Sequence, residues 1–190
     1  SEVIGSTMET VIKERVILES GGGEISGRGA ATSQKKGAST VDDIVLFVAK
    51  MASGALATFE ASRLSTGYKN ANRLEIHGEN GAIRFNFERM NELDWYDATL
   101  PAELQGWSTI NVTDGNANHP YAASWWPTAH VLGYEHSFIN QAADMLTVIG
   151  GGEPVVPLAD FWDAYEIQRV LAAVVESDKQ RSPVPLDQIQ

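Results

Sequence analysis

Val41–Glu88 is the stretch that decides the fold, VDDIVLFVAKMASGALATFEASRLSTGYKNANRLEIHGENGAIRFNFE. It holds four runs whose composition is typical of strands, namely Asp43–Met51, Ala55–Leu64, Arg73–His77 and Ala82–Phe87. Ser53-Gly54 separates the first two runs, and Asn80-Gly81 separates the last two. We expect Asn80-Gly81 to supply the positive φ angles of a hairpin turn. The pattern predicts two consecutive hairpins that form an antiparallel meander.

The chain on either side of this stretch adds strands and then helices. Further strands are predicted at Val3–Leu18, Met90–Tyr96 and Trp107–Val112. Helical periodicity follows in Gly133–Ile149, which ends at three glycines, and in Asp160–Lys179, which begins with a capping box. The sequence therefore predicts an α+β fold, with an open, mostly antiparallel sheet of about six strands and helices packed on one face.

Two stretches are expected to be loops. Residues 19–40 are rich in glycine, serine, alanine and lysine, and they have too few large apolar side chains to offset the entropy of ordering, so we predict a mobile loop. Residues 113–128 are predicted to be an irregular loop. Long loops within compact domains are often functional, so a site is first sought there. The prolines of Ser182–Leu186 predict an extended tail.

Both faces of the strand Asp43–Met51 are apolar. Alternate side chains point to opposite faces, with Ile44, Leu46 and Val48 on one face and Val45, Phe47, Ala49 and Met51 on the other. Two helices cannot cover both faces of a six-strand sheet. The uncovered face is therefore predicted to pair with a second copy of the chain, and the alternative is that the 113–128 loop and the first strand fold back over it.

Composition excludes several classes of protein. The net charge of −11 argues against a nucleic-acid or anionic-membrane partner. No run approaches the roughly 20 apolar residues of a membrane span. The sequence contains no cysteine, which excludes disulfides and thiolate metal sites and favours a cytoplasmic location. Its 190 residues are the size of one ordinary domain.

Side chains capable of binding or catalysis cluster around the second loop, at His119, Trp125, Trp126, His130, Tyr134, Glu135 and His136. No His-Glu-x-x-His pattern is present, so no metal site is predicted. His136 either binds a substrate hydroxyl or acts as an acid or base, or it is a structural histidine at a helix start. Trp125-Trp126 is either a platform for a sugar ring or part of the core. Arg63, at a strand end, either reaches a ligand or is solvated.

Eight motifs, in order, resemble the C-terminal domain of the glucose-fructose oxidoreductase/inositol dehydrogenase (Gfo/Idh/MocA) family. They are Asp42-Asp43, Phe59–Arg63, Gly67–Asn70, Leu74–Gly78 with Asn80-Gly81, Phe87–Leu93, Trp125–Pro127, Gly133–Phe138 and Ser182–Leu186. The resemblance implies an NAD(P)-dependent dehydrogenase of sugars, inositols or related polyols. In this family an N-terminal Rossmann domain binds the nucleotide, and the free face of the C-terminal sheet carries the oligomer contact.

Several motifs of the family are missing from these residues: Gly-x-Gly-x-x-Gly, Glu-Lys-Pro and Asp-x-x-x-His. The resemblance therefore implies that residues 1–190 are the substrate and oligomerisation domain, with the Rossmann domain and the catalytic residues outside. NAD or NADP is expected to bind the parent enzyme and not this chain, which alone should be inactive. The residues implied on the substrate side are Arg63, Trp126, His130, Tyr134 and His136.

Two other functions stay open. One is a non-enzymatic module that binds sugar or only oligomerises. The other is a nucleotide-independent enzyme that uses His119, His130 and His136 as acids and bases.

Overall fold

The computed structural model describes residues 1–17, 35–114 and 119–189. The strands among them are β1 (Glu2–Glu9), β2 (Glu14–Val16), β3 (Lys36–Ala38), β4 (Ile44–Lys50), β5 (Leu56–Ser62), β6 (Arg73–His77), β7 (Gly81–Asn86), β8 (Glu92–Asp97), β9 (Trp107–Asn111) and β10 (Val184–Pro185). The helices are α1 (Ala122–Trp125), α2 (Tyr134–Ile149) and α3 (Phe161–Gln180). Short 3-10 helices cover Phe87–Arg89, Ala102–Leu104 and Leu186–Gln188.

The predicted α+β class with antiparallel strands is confirmed, but the strands are grouped differently. They form three sheets, with the orders β10-β1-β4-β5, β2-β3 and β6-β7-β8-β9, in place of one sheet of about six strands. Both predicted hairpins are present, β4 with β5 and β6 with β7. However, β5 and β6 are edge strands of different sheets, so the hairpins do not continue into one meander.

The chain divides into two compact units. The first unit comprises Ser1–Thr66 and Asp160–Gln190, and the second unit comprises Gly67–Ala159. The predicted mobile loop, 19–40, lies mostly outside the described residues. Its described end contains β3, which pairs with β2 and is therefore a strand.

The sheet of the first unit joins the two ends of the chain. β1 pairs with β10 through Val3 and Val184, and it pairs with β4 on its other side. Helix α3 packs on β1. Val3, Ala173, Val174 and Val184 form the buried core between them. The core therefore depends on residues from opposite ends of the sequence.

Asp43 separates β1 from β2, which were predicted to form one strand over Val3–Leu18. Its backbone N–H donates to the carbonyl of Glu9 at the end of β1. Its carboxylate, in a residue only 2% exposed, accepts from the backbone N–H of Ile12 at 2.8 Å and from the guanidinium of Arg15. These bonds hold the chain after Glu9 out of the first sheet.

The two faces of β4 are in different environments. Val45 and Phe47 pack against the buried core, whereas Leu46 and Val48 on the opposite face are 43% and 39% exposed. One face of the first unit's sheet is therefore covered by α3, as predicted. The other face is open within the described residues of that unit.

The second unit's sheet also has an apolar face. Leu74, Ile76, Trp95 and Ile110 lie in register on one side, and each is at least 41% exposed.

Gly81, at the start of β7, is needed for a reason other than the predicted positive φ angle. Neither Asn80 nor Gly81 has a positive φ, but a Cβ on Gly81 would overlap the carbonyl oxygen of Tyr96 on β8. Glycine therefore allows the close approach of β7 to β8.

Both long helices agree with the prediction. Gly150 caps the C-terminus of α2, and Gly151 adopts φ +83°. At the start of α3 the side chains of Asp160 and Asp163 each accept a backbone N–H from the other residue, both at 2.9 Å.

The predicted irregular loop 113–128 contains the short helix α1. Among the described residues, no helix is long and apolar enough to cross a membrane.

Candidate functional site

A cleft of about 470 Å³ lies in the second unit, beside the first half of α2. Its polar lining consists of His119, Tyr121, His136, Ser137, Asn140, Gln141 and Asp144. Apolar side chains, among them Met90, Leu132 and Phe138, complete the wall. Small-molecule sites commonly combine such an apolar wall with a few convergent polar groups, and this volume is in their usual range. The cleft can therefore accept a small amphipathic ligand.

Asp144 anchors the segments on either side of α2. It is 3% exposed, and it accepts hydrogen bonds from the hydroxyl of Tyr121 and from the backbone N–H of Val155, the latter at 3.1 Å. The Tyr121 bond holds the pKa of the Asp144 carboxyl below its usual value, against the opposing effect of burial. Burial, followed by the bond to Asp144, raises the pKa of Tyr121 to about 12. At neutral pH the pair is thus a neutral phenol donating to a carboxylate.

His119 lies at the start of the segment that Tyr121 anchors. Its Nδ1 accepts hydrogen bonds from the backbone N–H groups of Tyr121 at 3.2 Å and Ala122 at 3.1 Å. Burial lowers the pKa of the imidazole. A ring that accepts through Nδ1 carries its proton on Nε2, so His119 presents a neutral N–H donor.

His136 has a structural function at the start of α2. Its Nδ1 accepts the backbone N–H of Gly133 at 3.0 Å. The ring packs edge-on against Trp125, with 4.4 Å between centroids, and Trp125 Nε1 donates to Asn140 Oδ1 at 2.7 Å. The ring also lines the cleft, so the two interpretations of His136, structural and ligand-binding, are compatible.

The other four residues expected on the substrate side lie elsewhere. Trp126 is 48% exposed and contacts His136, with ring centroids 6.4 Å apart. His130 is exposed, and its Nδ1 lies 3.0 Å from the carbonyl oxygen of Pro127. Tyr134 is 55% exposed and packs on Phe138 and Phe87. Arg63 is an exposed residue of the first unit.

Tyr121, Asn140 and Asp144 were not among the residues predicted for a site. His119 was predicted only as a member of the cluster around the 113–128 loop and as an acid or base of the alternative enzyme. A signal for two of them was present. Asn140 and Asp144 follow His136 at intervals of four residues, which places all three side chains on one face of a helix. Polar residues repeated on the inner face of a helix otherwise rich in apolar residues indicate a buried polar site.

A metal ion or a dinucleotide would need features of a different kind. Within 1–17, 35–114 and 119–189, no group of three or more His, Cys, Asp or Glu side chains could hold a metal ion. Dinucleotide sites use a parallel strand that leads through a glycine-rich turn into a helix. The pairs of strands that the structure describes are all antiparallel, and the sequence lacks Gly-x-Gly-x-x-Gly. The described residues do not fit a dinucleotide site of that kind.

Comparison with known proteins agrees with the resemblance seen in the motifs. Residues 17–84 match the family model of the GFO/IDH/MocA C-terminal domain. Over 187 residues, 98% of its length, the chain is 35% identical to levoglucosan dehydrogenase of Pseudarthrobacter phenanthrenivorans. Residues 17–84 are a Gfo/Idh/MocA C-terminal domain. Levoglucosan dehydrogenase is a member of the same family.

Solved structures of other oxidoreductases share the fold of this chain. An oxidoreductase domain protein from Kribbella flavida is 43% identical with a TM-score of 0.81, and the match covers 96% of this chain and 44% of that one. Levoglucosan dehydrogenase in complex with NADH and levoglucosan is 31% identical with a TM-score of 0.79, over the same 96% and 44%. The same enzyme has also been solved with NADH and L-sorbose. The chain therefore spans less than half the length of these relatives.

Proposed function

We propose that this chain is the substrate-binding and oligomerisation domain of an NAD(P)-dependent dehydrogenase of a sugar or inositol-like polyol. The observation that carries the proposal is the mixed polar and apolar cleft beside α2, in a chain 35% identical to levoglucosan dehydrogenase. In the parent enzyme a ring carbon loses a hydride to the nicotinamide, and its hydroxyl loses a proton to a base outside these residues.

The cleft suits a sugar because it offers both kinds of contact that a sugar ring requires. His119, Asn140 and Gln141 can bond ring hydroxyls, and Leu132 and Phe138 can cover the apolar C–H faces. His136 lines the cleft, and Trp126 touches its ring. We retain Trp126, His130, Tyr134, His136 and Arg63 as proposed substrate-side residues of the parent enzyme.

The open face of the first unit's sheet supports the oligomerisation half of the proposal. Leu46, Val48 and Leu56 lie on that face and are 43%, 39% and 72% exposed. Contiguous apolar surface on a sheet commonly marks an interface, and a second copy of the chain presents a matching surface.

Two measurements test the function. The full-length protein should reduce NAD or NADP in the presence of levoglucosan or a related sugar, and absorbance of the reduced nicotinamide reports the rate. The 190-residue chain alone should neither turn over nor quench or enhance the fluorescence of NADH or NADPH. Sugar binding without any reduction of either nucleotide by the full-length protein would favour the non-enzymatic module instead. Tight NADH binding by the 190-residue chain would contradict the proposal that the nucleotide binds outside these residues.

A further inference from the structure

His119 has one ring nitrogen engaged and the other available. Both hydrogen bonds to the ring, from the backbone N–H groups of Tyr121 and Ala122, arrive at Nδ1. Among the described residues, no hydrogen-bond partner of Nε2 is present, and the ring is part of the cleft wall. The side chain is therefore a donor that a ligand in the cleft can use.

The orientation of the ring is fixed by its neighbours. Tyr121, which donates its backbone N–H to the ring, is itself tied to α2 through the bond between its hydroxyl and Asp144. Asp144 is buried, and it also accepts from the backbone N–H of Val155, which follows α2. A side chain held in this way loses little conformational entropy when a ligand binds.

The charge state of His119 suits a hydroxyl group. Burial lowers the pKa of the imidazole, and protonation of Nδ1 would break both backbone bonds. The ring is consequently neutral at physiological pH, with its proton on Nε2. A neutral N–H donor on a cleft wall pairs with a neutral acceptor, and the hydroxyl oxygens of a sugar are acceptors of that kind.

We propose that His119 is a specificity residue of the dehydrogenase, whose Nε2–H donates a hydrogen bond to one ring hydroxyl of the substrate, and that Tyr121 and Asp144 are its positioning residues. This inference rests on the proposed function. It assigns selectivity for a hydroxyl at one ring position to a residue outside the five that the family resemblance indicated.

The substitution His119→Asn isolates the donor. The Oδ1 of asparagine can accept the same two backbone N–H groups, but the shorter side chain has no donor at the position of Nε2. In the full-length protein we expect KM for levoglucosan to rise by about 3- to 10-fold, the equivalent of one neutral hydrogen bond, with KM for the nucleotide unchanged. His77→Asn is the matched control, because His77 is an exposed residue on β6 that pairs with Glu75.

Deoxy sugars separate substrate contact from a purely structural effect. For one deoxy analogue, the wild-type enzyme should have a kcat/KM several-fold lower than for the parent sugar. The His119→Asn enzyme should have the same kcat/KM for that analogue and the parent sugar, because the donor to the missing hydroxyl is already absent. Tyr121→Phe should weaken the same discrimination without abolishing it. If wild type and His119→Asn show the same loss of kcat/KM for every deoxy analogue, the inference is overturned while the proposed function stands.

A measurement on the wild-type protein covers the case in which His119→Asn fails to fold. Nitrogen-15 NMR of the histidine-labelled full-length protein should show the Nε2–H tautomer for His119 and a shift of that nitrogen on addition of levoglucosan. The absence of a shift in an enzyme that oxidises the sugar would overturn the inference alone. A wild-type enzyme that oxidises no sugar with either nucleotide would overturn both the proposed function and this inference.

Discussion

The phenolic hydroxyl of Tyr121 donates a hydrogen bond to Oδ2 of Asp144, which lies 23 residues further along the chain. This bond joins the segment that carries His119 to the inner face of α2. Because Asp144 also accepts from the backbone N–H of Val155, one buried carboxylate holds three parts of the second unit together.

Tyr121→Phe should lower the melting temperature at neutral pH by several degrees, on the order of 5 °C, because it removes the donor from a buried carboxylate. The effect should depend on pH. The pKa of Tyr121 is raised from 10.0 to about 12, so the stability it contributes is complete below pH 10 and is lost as the pH rises to 12. Thermal unfolding followed between those pH values should show the difference between wild type and variant shrinking to zero.

The control for this experiment is Tyr165→Phe. Tyr165 is 43% exposed, and its hydroxyl has no hydrogen bond to the part of the chain that the structure describes. The melting temperature of the Tyr165→Phe variant should match that of wild type at every pH. A difference between wild type and Tyr121→Phe that stays constant through pH 12 would contradict the assigned role of the phenol.

Asp43→Asn should destabilise the first unit, because Asn cannot neutralise the guanidinium of Arg15. The melting temperature at neutral pH should fall by about 5–10 °C. The hydrogen bond from Ile12 N–H, assisted by Arg15 and opposed by burial, holds the pKa of Asp43 below its usual 3.8. Its stabilising effect is therefore present above pH 3.8 and is lost as the pH falls through the lowered pKa.

Asp42→Asn provides the comparison for Asp43, since Asp42 is the preceding residue and is exposed. Differential scanning calorimetry at neutral pH and at successive pH values below 3.8 would distinguish the two carboxylates. Equal behaviour of the two variants would show that the Arg15 pair contributes no stability.

Gly81→Ala should lower the free energy of unfolding by about 1–3 kcal/mol, because the new methyl group overlaps the carbonyl oxygen of Tyr96 and the strands must move apart. Gly106→Ala serves as the reference, as a Cβ there meets nothing within 4 Å. Urea unfolding monitored by circular dichroism gives both values. If the two variants are equally stable, the close approach of β7 to β8 is not what requires glycine.

Leu46→Glu should weaken self-association, because it places a charge at the centre of the first unit's open sheet face. We expect at least about a tenfold loss of dimer affinity, measured by size-exclusion chromatography with light scattering across a concentration series. Leu104→Glu, at a residue 65% exposed in the second unit, should leave the mass unchanged. A wild-type chain that is monomeric at every concentration would contradict the proposed interface.

Local patterns predicted most of the elements correctly. The apolar spacing and the Asp160 capping box located α3, and the three glycines located the end of α2. The two hairpins were also predicted, because each is made from neighbouring segments of the chain. Such features depend on residues a few positions apart, so a single sequence contains the necessary information.

The candidate site was predicted only in part. His136 was predicted and lines the cleft. The hydrogen bond between Tyr121 and Asp144 was not predicted. The two segments are brought together by tertiary packing, and no spacing rule relates a tyrosine to an aspartate 23 residues away. Likewise, glycine is required at position 81 because β8 lies close to its Cα, and not because the residue has a positive φ angle.

The sequence by itself determined the α+β class, the helices, the hairpins and the family, because each of these depends on local periodicity or on motifs read in order. Tertiary structure alone decided that the strands separate into different sheets, that β1 lies between β4 and β10, and that His119 joins His136 in one cleft. The physical reason is that these arrangements minimise the free energy of contacts between residues far apart in the chain, which local patterns do not specify.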